Sequence, residues 1–152
     1  MRKTVTLNLK NEAGEKIKVE LRLTITGQMA LKKKYKDEGV SLIMSAMDDT
    51  EKMLDILEQA LNFKGNENTI TDSEELYDLL VDNDYQGMDG FANLMIQIGE
   101  VSGLFKKKQA EKLASTISET FDKIFDKFEE NLTGDLEDED NVPSETERDK
   151  PE

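Results

Sequence analysis

Residues 113–132 read LASTISETFDKIFDKFEENL, and the period of this stretch decides the fold class. Its large apolar side chains recur at three- and four-residue steps, the period of an α-helix rather than the two-residue period of a strand. Turning 100° per residue, Leu113, Ile117, Phe121, Ile124, Phe125, Phe128 and Leu132 fall within a sector of about 120°, joined by Ala110 and Ala114. Lys112, Glu119, Asp122, Lys123, Asp126 and Glu130 occupy the opposite side. Neither Gly nor Pro occurs between Gly103 and Gly134, so no helix breaker interrupts the run. A helix over 106–132 would extend roughly 40 Å, against about 36 Å for the diameter of a compact body of its 132 residues. Seven large side chains at roughly 1.5–3 kcal/mol each place on the order of 10–20 kcal/mol on the stripe. Two readings stay open. Either the stripe closes the domain's own core, or its distal half (Phe121, Phe125, Phe128, Leu132) meets another chain. The candidate partner-binding set is the full stripe: Leu113, Ile117, Phe121, Ile124, Phe125, Phe128 and Leu132.

Upstream of this helix the chain opens with a different period. Val5, Leu7 and Leu9, then Ile17, Val19, Leu21 and Leu23, alternate with polar residues, which puts each apolar set on one face of a pleated ribbon. Asn11-Glu12-Ala13-Gly14-Glu15 between them has turn composition, so a β-hairpin is expected. An isolated hairpin is marginal in water and needs a partner layer. From Thr26 the period turns helical. Thr26 or Gly27 is expected to cap a short helix with Met29, Leu31 and Tyr35 that ends at Gly39, and Leu42-Ile43-Met44 form a short apolar turn. Asp48 or Asp49 caps the next helix, whose stripe is Met53, Leu54, Ile56, Leu57, Ala60 and Leu61. Thr71-Asp72-Ser73-Glu74 fits a capping box before Leu76, Tyr77, Leu79, Leu80 and Val81. After a loop at 82–90, a further helix carries Phe91, Leu94, Met95 and Ile98 and stops near Gly103. The fold class expected is α+β and predominantly helical: an N-terminal β-hairpin packed on a helical body, with a long C-terminal helix and a disordered acidic tail.

The tail follows from charge. The 152 residues carry 34 acids and 20 bases, a formal charge of −14. Residues 133–152 hold nine acids and two bases, with only Leu136 and Val142 as large apolar residues and both prolines of the chain. Such a segment buries too little apolar surface to offset its ordering entropy. One domain over 1–132 and a tail over 133–152 are expected.

Composition excludes several chemistries. The chain has no His, no Cys and no Trp, so thiol or imidazole catalysis, cysteine–histidine zinc sites and disulfide scaffolds lack the atoms they need. No apolar run of transmembrane length occurs, and Met1-Arg2-Lys3-Thr4-Val5 has no apolar signal core, which favours the cytosol. The negative charge disfavours nucleic-acid binding. Asp82-Asn83-Asp84-Tyr85-Gln86-Gly87 imitates the start of an EF-hand loop, but Asp89 stands where an apolar residue belongs and Asn93 where a bidentate carboxylate belongs. It reads as a polar turn between helices. Lys32-Lys33-Lys34 with Lys36, and Lys106-Lys107-Lys108, read as solvated helix faces. Neither a glycine-rich phosphate loop nor a nucleophile elbow is present, and no carboxylate pair stands out. No catalytic, metal or cofactor site is expected, and the chain reads as a non-enzymatic interaction module.

The order of elements over about residues 4–130 resembles the tail assembly chaperones of long-tailed phages and prophages of Gram-positive bacteria. The residues that carry it are Leu21-Arg22-Leu23-Thr24-Ile25-Thr26 after the hairpin, Glu38-Gly39-Val40-Ser41-Leu42, and Leu54-Asp55-Ile56-Leu57-Glu58-Gln59-Ala60-Leu61. Asp72-Ser73-Glu74-Glu75-Leu76-Tyr77-Asp78-Leu79-Leu80-Val81-Asp82 and Ile96-Gln97-Ile98-Gly99-Glu100-Val101-Ser102-Gly103-Leu104-Phe105 complete it. The resemblance implies a non-enzymatic, transient role in the host cytoplasm. Such proteins coat the tape-measure protein and keep it soluble during tail morphogenesis, and they are absent from the mature virion. It also implies a longer second product made by ribosomal frameshifting. The expected partners are the tape-measure protein, the tail tube protein as a further candidate, and further copies of the chain, with no direct nucleic acid and no membrane. The alternative is an acidic nucleic-acid mimic that inhibits a host nuclease or restriction enzyme. Against it, half the net charge lies in the tail rather than on a rigid face.

Overall fold

The alternating segments pair as expected. In the computed structural model, which describes residues 3–85 and 87–141 with side chains over 3–85 and 90–131, β1 (Val5–Lys10) runs antiparallel to β2 (Lys16–Leu21). The register sets Val5 opposite Leu21, Leu7 opposite Val19 and Leu9 opposite Ile17, so the apolar residues share one face. Val5, Leu7, Leu9, Val19, Leu21 and Leu23 are all buried. Asn11 closes the turn by accepting from the amides of Ala13 and Glu15 at 3.0 and 2.9 Å. Six helices follow among the described residues: α1 (Ile25–Tyr35), α2 (Gly39–Ala46), α3 (Thr50–Leu61), α4 (Ser73–Asp82), α5 (Gly87–Val101) and α6 (Lys107–Asn141). The α+β, predominantly helical class is therefore correct.

Helix α3 is the centre of the core. It packs against α1, α2, α4 and β2, while β1 lies on α4 and α5. Ile56, Leu57, Ala60 and Leu61 on α3 are sealed from solvent, together with Leu42 and Ile43 from α2, Leu76 and Leu80 from α4, and Met95 and Ile98 from α5. Each comes from an apolar stripe at helical spacing, and each stripe faces the hairpin or another helix. At Gly99 the chains come so close that an added Cβ would lie 2.3 Å from Cε2 of the buried Phe105. Gly103, at φ +86°, ends α5 in the left-handed region that a side chain disfavours.

One position on the outer edge of each strand is covered by a side-chain amide. Asn68 Oδ1 accepts from Glu20 N–H at 2.8 Å, and its Nδ2 donates to the carbonyls of Glu20 and Leu61 at 2.8 and 2.9 Å. Asn83 does the same for Lys10, accepting from its N–H and donating to its carbonyl, both at 2.9 Å. Each asparagine supplies the donor and acceptor that a further strand would offer, so these edge positions are already satisfied.

Several boundaries differ from the expected ones. Thr24 caps α1, not Thr26 or Gly27: its hydroxyl accepts from Gly27 N–H at 3.4 Å. The strand-like alternation of Leu23, Thr24 and Ile25 hides that start. Helix α1 ends at Tyr35, with Lys36 in the left-handed region, and Gly39 opens α2 instead of closing α1. Residues expected to form a short apolar turn are thus an eight-residue helix, which packs on α3 and α5. Asp49 caps α3. At α4 the cap is Asp72 rather than Thr71, since both carboxylate oxygens accept, one from Glu74 N–H and one from Glu75 N–H. Thr71 is held elsewhere: its carbonyl takes Asn62 Nδ2 at 3.0 Å. Helix α5 begins at Gly87, shortening the loop expected over 82–90. Helix α6 continues past 132 to Asn141, so the backbone of the first nine residues of the expected tail is helical. Residues 142–152 of that tail lie outside the described residues. The chain divides into two compact units between Ser115 and Thr116, within α6.

Candidate functional site

The stripe on α6 does not have one environment along its length. Ala110 is buried, and Leu113, Ala114, Ile117 and Phe121 are half-buried. Ile124, Phe125 and Phe128 are 55, 63 and 61% exposed. The side chain of Leu132 lies outside the described residues. Of the seven candidates, three therefore form an exposed apolar ridge and three are half-covered. An i, i+1, i+4 set of one isoleucine and two phenylalanines is a helix face of the kind that docks on another apolar surface. Asp122, Asp126 and Glu129, all exposed, stand beside Phe125 on one flank of the ridge. Residues 116–141 hold ten acids and two bases, a balance of −8. The ridge is thus apolar in contact and acidic in surroundings.

A polar cluster that the sequence did not single out joins α1, α2 and α3. Asp55 Oδ2 accepts from Tyr35 O–H at 2.5 Å and from Lys34 Nζ at 2.7 Å. Lys52, in the first turn of α3, is buried; its Nζ donates to Asp37 Oδ2 at 2.7 Å and to Ser45 Oγ at 2.8 Å. The same ammonium lies 4.9 Å from the Tyr35 ring centroid, within cation–π range. Burial, and then the hydrogen bond to Asp55, push the Tyr35 phenol up to about 12. The hydrogen bond from Lys52 holds Asp37 below the usual carboxylate range. Burial acts to raise Asp55, but the hydrogen bonds from Lys34 and Tyr35 outweigh it and the carboxyl titrates low. Each charged group here is met by a partner in the same cluster, an arrangement that ties three helices together. Its signal in the sequence was a lone lysine at a core-facing position of an apolar helix.

The outer face of α1 is the second exposed apolar feature. Ile25 and Met29 are 68 and 64% exposed, although both are large apolar residues. Gly27 and Leu31 are the buried residues of α1. Met29, Lys32, Lys33 and Lys36 line a shallow recess of about 450 Å³. Lys32 pairs with Glu38, whereas Lys33 and Lys36 have no ion pair among the described residues. A smaller cleft of about 230 Å³ is lined by Thr50, Leu54, Glu74, Tyr77 and Asp78, with Tyr77 stacked on Phe91 at 4.8 Å.

The loop resembling an EF-hand start lies partly outside the described residues, since Gln86 and the side chains at 87–89 are not described. Among the described residues, no group of three or more acidic side chains is placed to hold a metal ion. No described helix is long and apolar enough to cross a membrane. Comparison of the chain with protein-family models, with curated proteins and with solved structures gives no match.

Proposed function

We propose that this chain is a non-enzymatic tail assembly chaperone of a long-tailed phage, which binds the tape-measure protein and keeps it soluble in the host cytoplasm until tail tube subunits assemble around it. The observation that carries the reading is the exposed ridge Ile124, Phe125 and Phe128. A long helical client that must stay unassembled exposes apolar helix faces, and a partner helix with a matching ridge covers them. The acidic surroundings favour this role, because a segment at −8 resists self-aggregation while its ridge is engaged. Asn68 and Asn83 occupy one edge position on each strand, at Glu20 and Lys10, which favours helix contacts over strand addition there.

The test is co-expression with the tape-measure protein encoded downstream of this chain. The wild type is expected to raise the soluble fraction of that client and to co-purify with it. A Phe125→Asp/Phe128→Asp variant keeps its own solubility and loses both effects. A client that is equally soluble with and without this chain, and never co-purifies, removes the proposal.

A further inference from the structure

We infer that the outer face of α1 is a docking site for the α6 ridge of a second copy of this chain, giving a head-to-tail contact between protomers. On α1, Ile25, Met29, Lys32 and Lys33 fall within about 100° of the helix circumference, on the side away from the buried Gly27 and Leu31, and Lys36, just past the helix end, lines the same recess. That face offers two exposed apolar side chains, then a recess walled by lysines, two of which have no ion pair among the described residues. The α6 ridge has the complementary order: exposed Ile124, Phe125 and Phe128, with Asp122, Asp126 and Glu129 along one flank. Aromatic rings meet Met29 and Ile25 while carboxylates meet ammonium groups, so both the apolar and the charged parts of each surface are answered. Methionine adapts to such a ring contact because its thioether chain is flexible and polarisable.

Charge argues against the simpler contact of ridge on ridge. Two copies of the 116–141 segment would bring −8 against −8, with the acidic flanks adjacent. The α1 face is an exposed apolar surface of opposite sign, since Lys32, Lys33 and Lys36 stand beside Met29 around its recess. Because the two surfaces differ, the contact is heterologous and leaves one free surface of each kind on every dimer, so association proceeds to rings or chains. The inference involves only this chain and stands without the chaperone reading; because both use the α6 ridge, the two contacts are alternatives, and a bound client displaces the neighbouring copy.

Sedimentation velocity on the purified full-length protein tests it. The wild type is expected to grow in mass with concentration beyond a dimer, and high salt weakens that growth by screening the flanking charges. Phe125→Asp/Phe128→Asp and Lys33→Glu/Lys36→Glu change only exposed side chains and should each leave the protein folded and monomeric. Their equimolar mixture should form a heterodimer and nothing larger, because one intact α1 face meets one intact ridge. If the charge reversal unfolds the chain, Lys33→Ser/Lys36→Ser takes its place, with association weakened at least about tenfold, equivalent to about 1.4 kcal/mol. A wild type that stays monomeric at every concentration overturns the inference. So does a lysine variant that associates like the wild type, or a mixture that stays monomeric. Failure to bind a tape-measure protein leaves this result unaffected.

Discussion

Replacing Phe125 and Phe128 by alanine should scarcely change the stability of the chain, although phenylalanine is the residue whose loss from a core is felt most. The magnitude follows from exposure. Phe128 is 61% exposed and Phe125 63%, leaving about 39 and 37% of each covered. Full burial of such a side chain stabilises by about 1.5–3 kcal/mol, so the covered part contributes about 0.5–1.2 kcal/mol. Alanine recovers about half a kcal/mol through its higher helix propensity. The net expectation is a loss under about 1 kcal/mol for each substitution. Leu57→Ala on α3 is the control, because Leu57 is wholly buried, and it should cost about 2–5 kcal/mol. Urea unfolding of the full-length wild type and the variants, followed by circular dichroism at a protein concentration low enough to suppress self-association, reads both values. If Phe125→Ala or Phe128→Ala proved as damaging as Leu57→Ala, the rings would be part of the folding core and the ridge would not be free for a partner.

Four further outcomes follow from contacts within the fold. Gly99→Ala should destabilise by about 1–3 kcal/mol, because its methyl would lie 2.3 Å from the buried Phe105 ring, and Phe105→Leu in the same chain should recover part of the loss. A Gly99→Ala protein that melts with the wild type refutes that packing. Asn68→Ala removes the cover of Glu20 and should cost about 1–3 kcal/mol while speeding hydrogen exchange at the Glu20 amide; unchanged exchange would rule out the amide bridge. The Lys52–Asp37 pair should give a pH dependence of definite sign: Asp37 is depressed in the fold, so its contribution is present above the ordinary aspartate value near 4 and fades as pH falls through the lower folded value. Acid unfolding of Asp37→Asn should therefore show a shallower loss over that window than the wild type, and identical profiles would remove the pair from the account. At the alkaline end, Tyr35 is raised from about 10 to about 12, so its contribution holds below pH 10 and is lost between those values. Tyr35→Phe should abolish the phenol that ionises latest in an ultraviolet titration.

Periodicity by itself determined the types of the hairpin strands and of the longer helices, though not that of the short helix α2. Strict alternation in Val5, Leu7, Leu9, Val19 and Leu21 needs only the two-residue repeat of a strand, and the α6 stripe needs only the 3.6-residue repeat of a helix; both are local properties of backbone geometry. Caps proved less legible. Thr24 and Asp72 cap α1 and α4 through local hydrogen bonds from Gly27 N–H and Glu74 N–H, although neighbouring Thr26 and Thr71 have side chains of the same capping chemistry. Tertiary structure alone decided where each apolar side chain went. Met29 and Phe128 look like core residues in a helical repeat, and Lys52 looks like a surface residue, yet the first two are exposed and the third is buried. Burial depends on what stands opposite a face, and that is set by contacts distant in sequence: Lys52 finds Asp37, Ser45 and the Tyr35 ring, whereas the outer face of α1 and the ridge of α6 remain open to solvent.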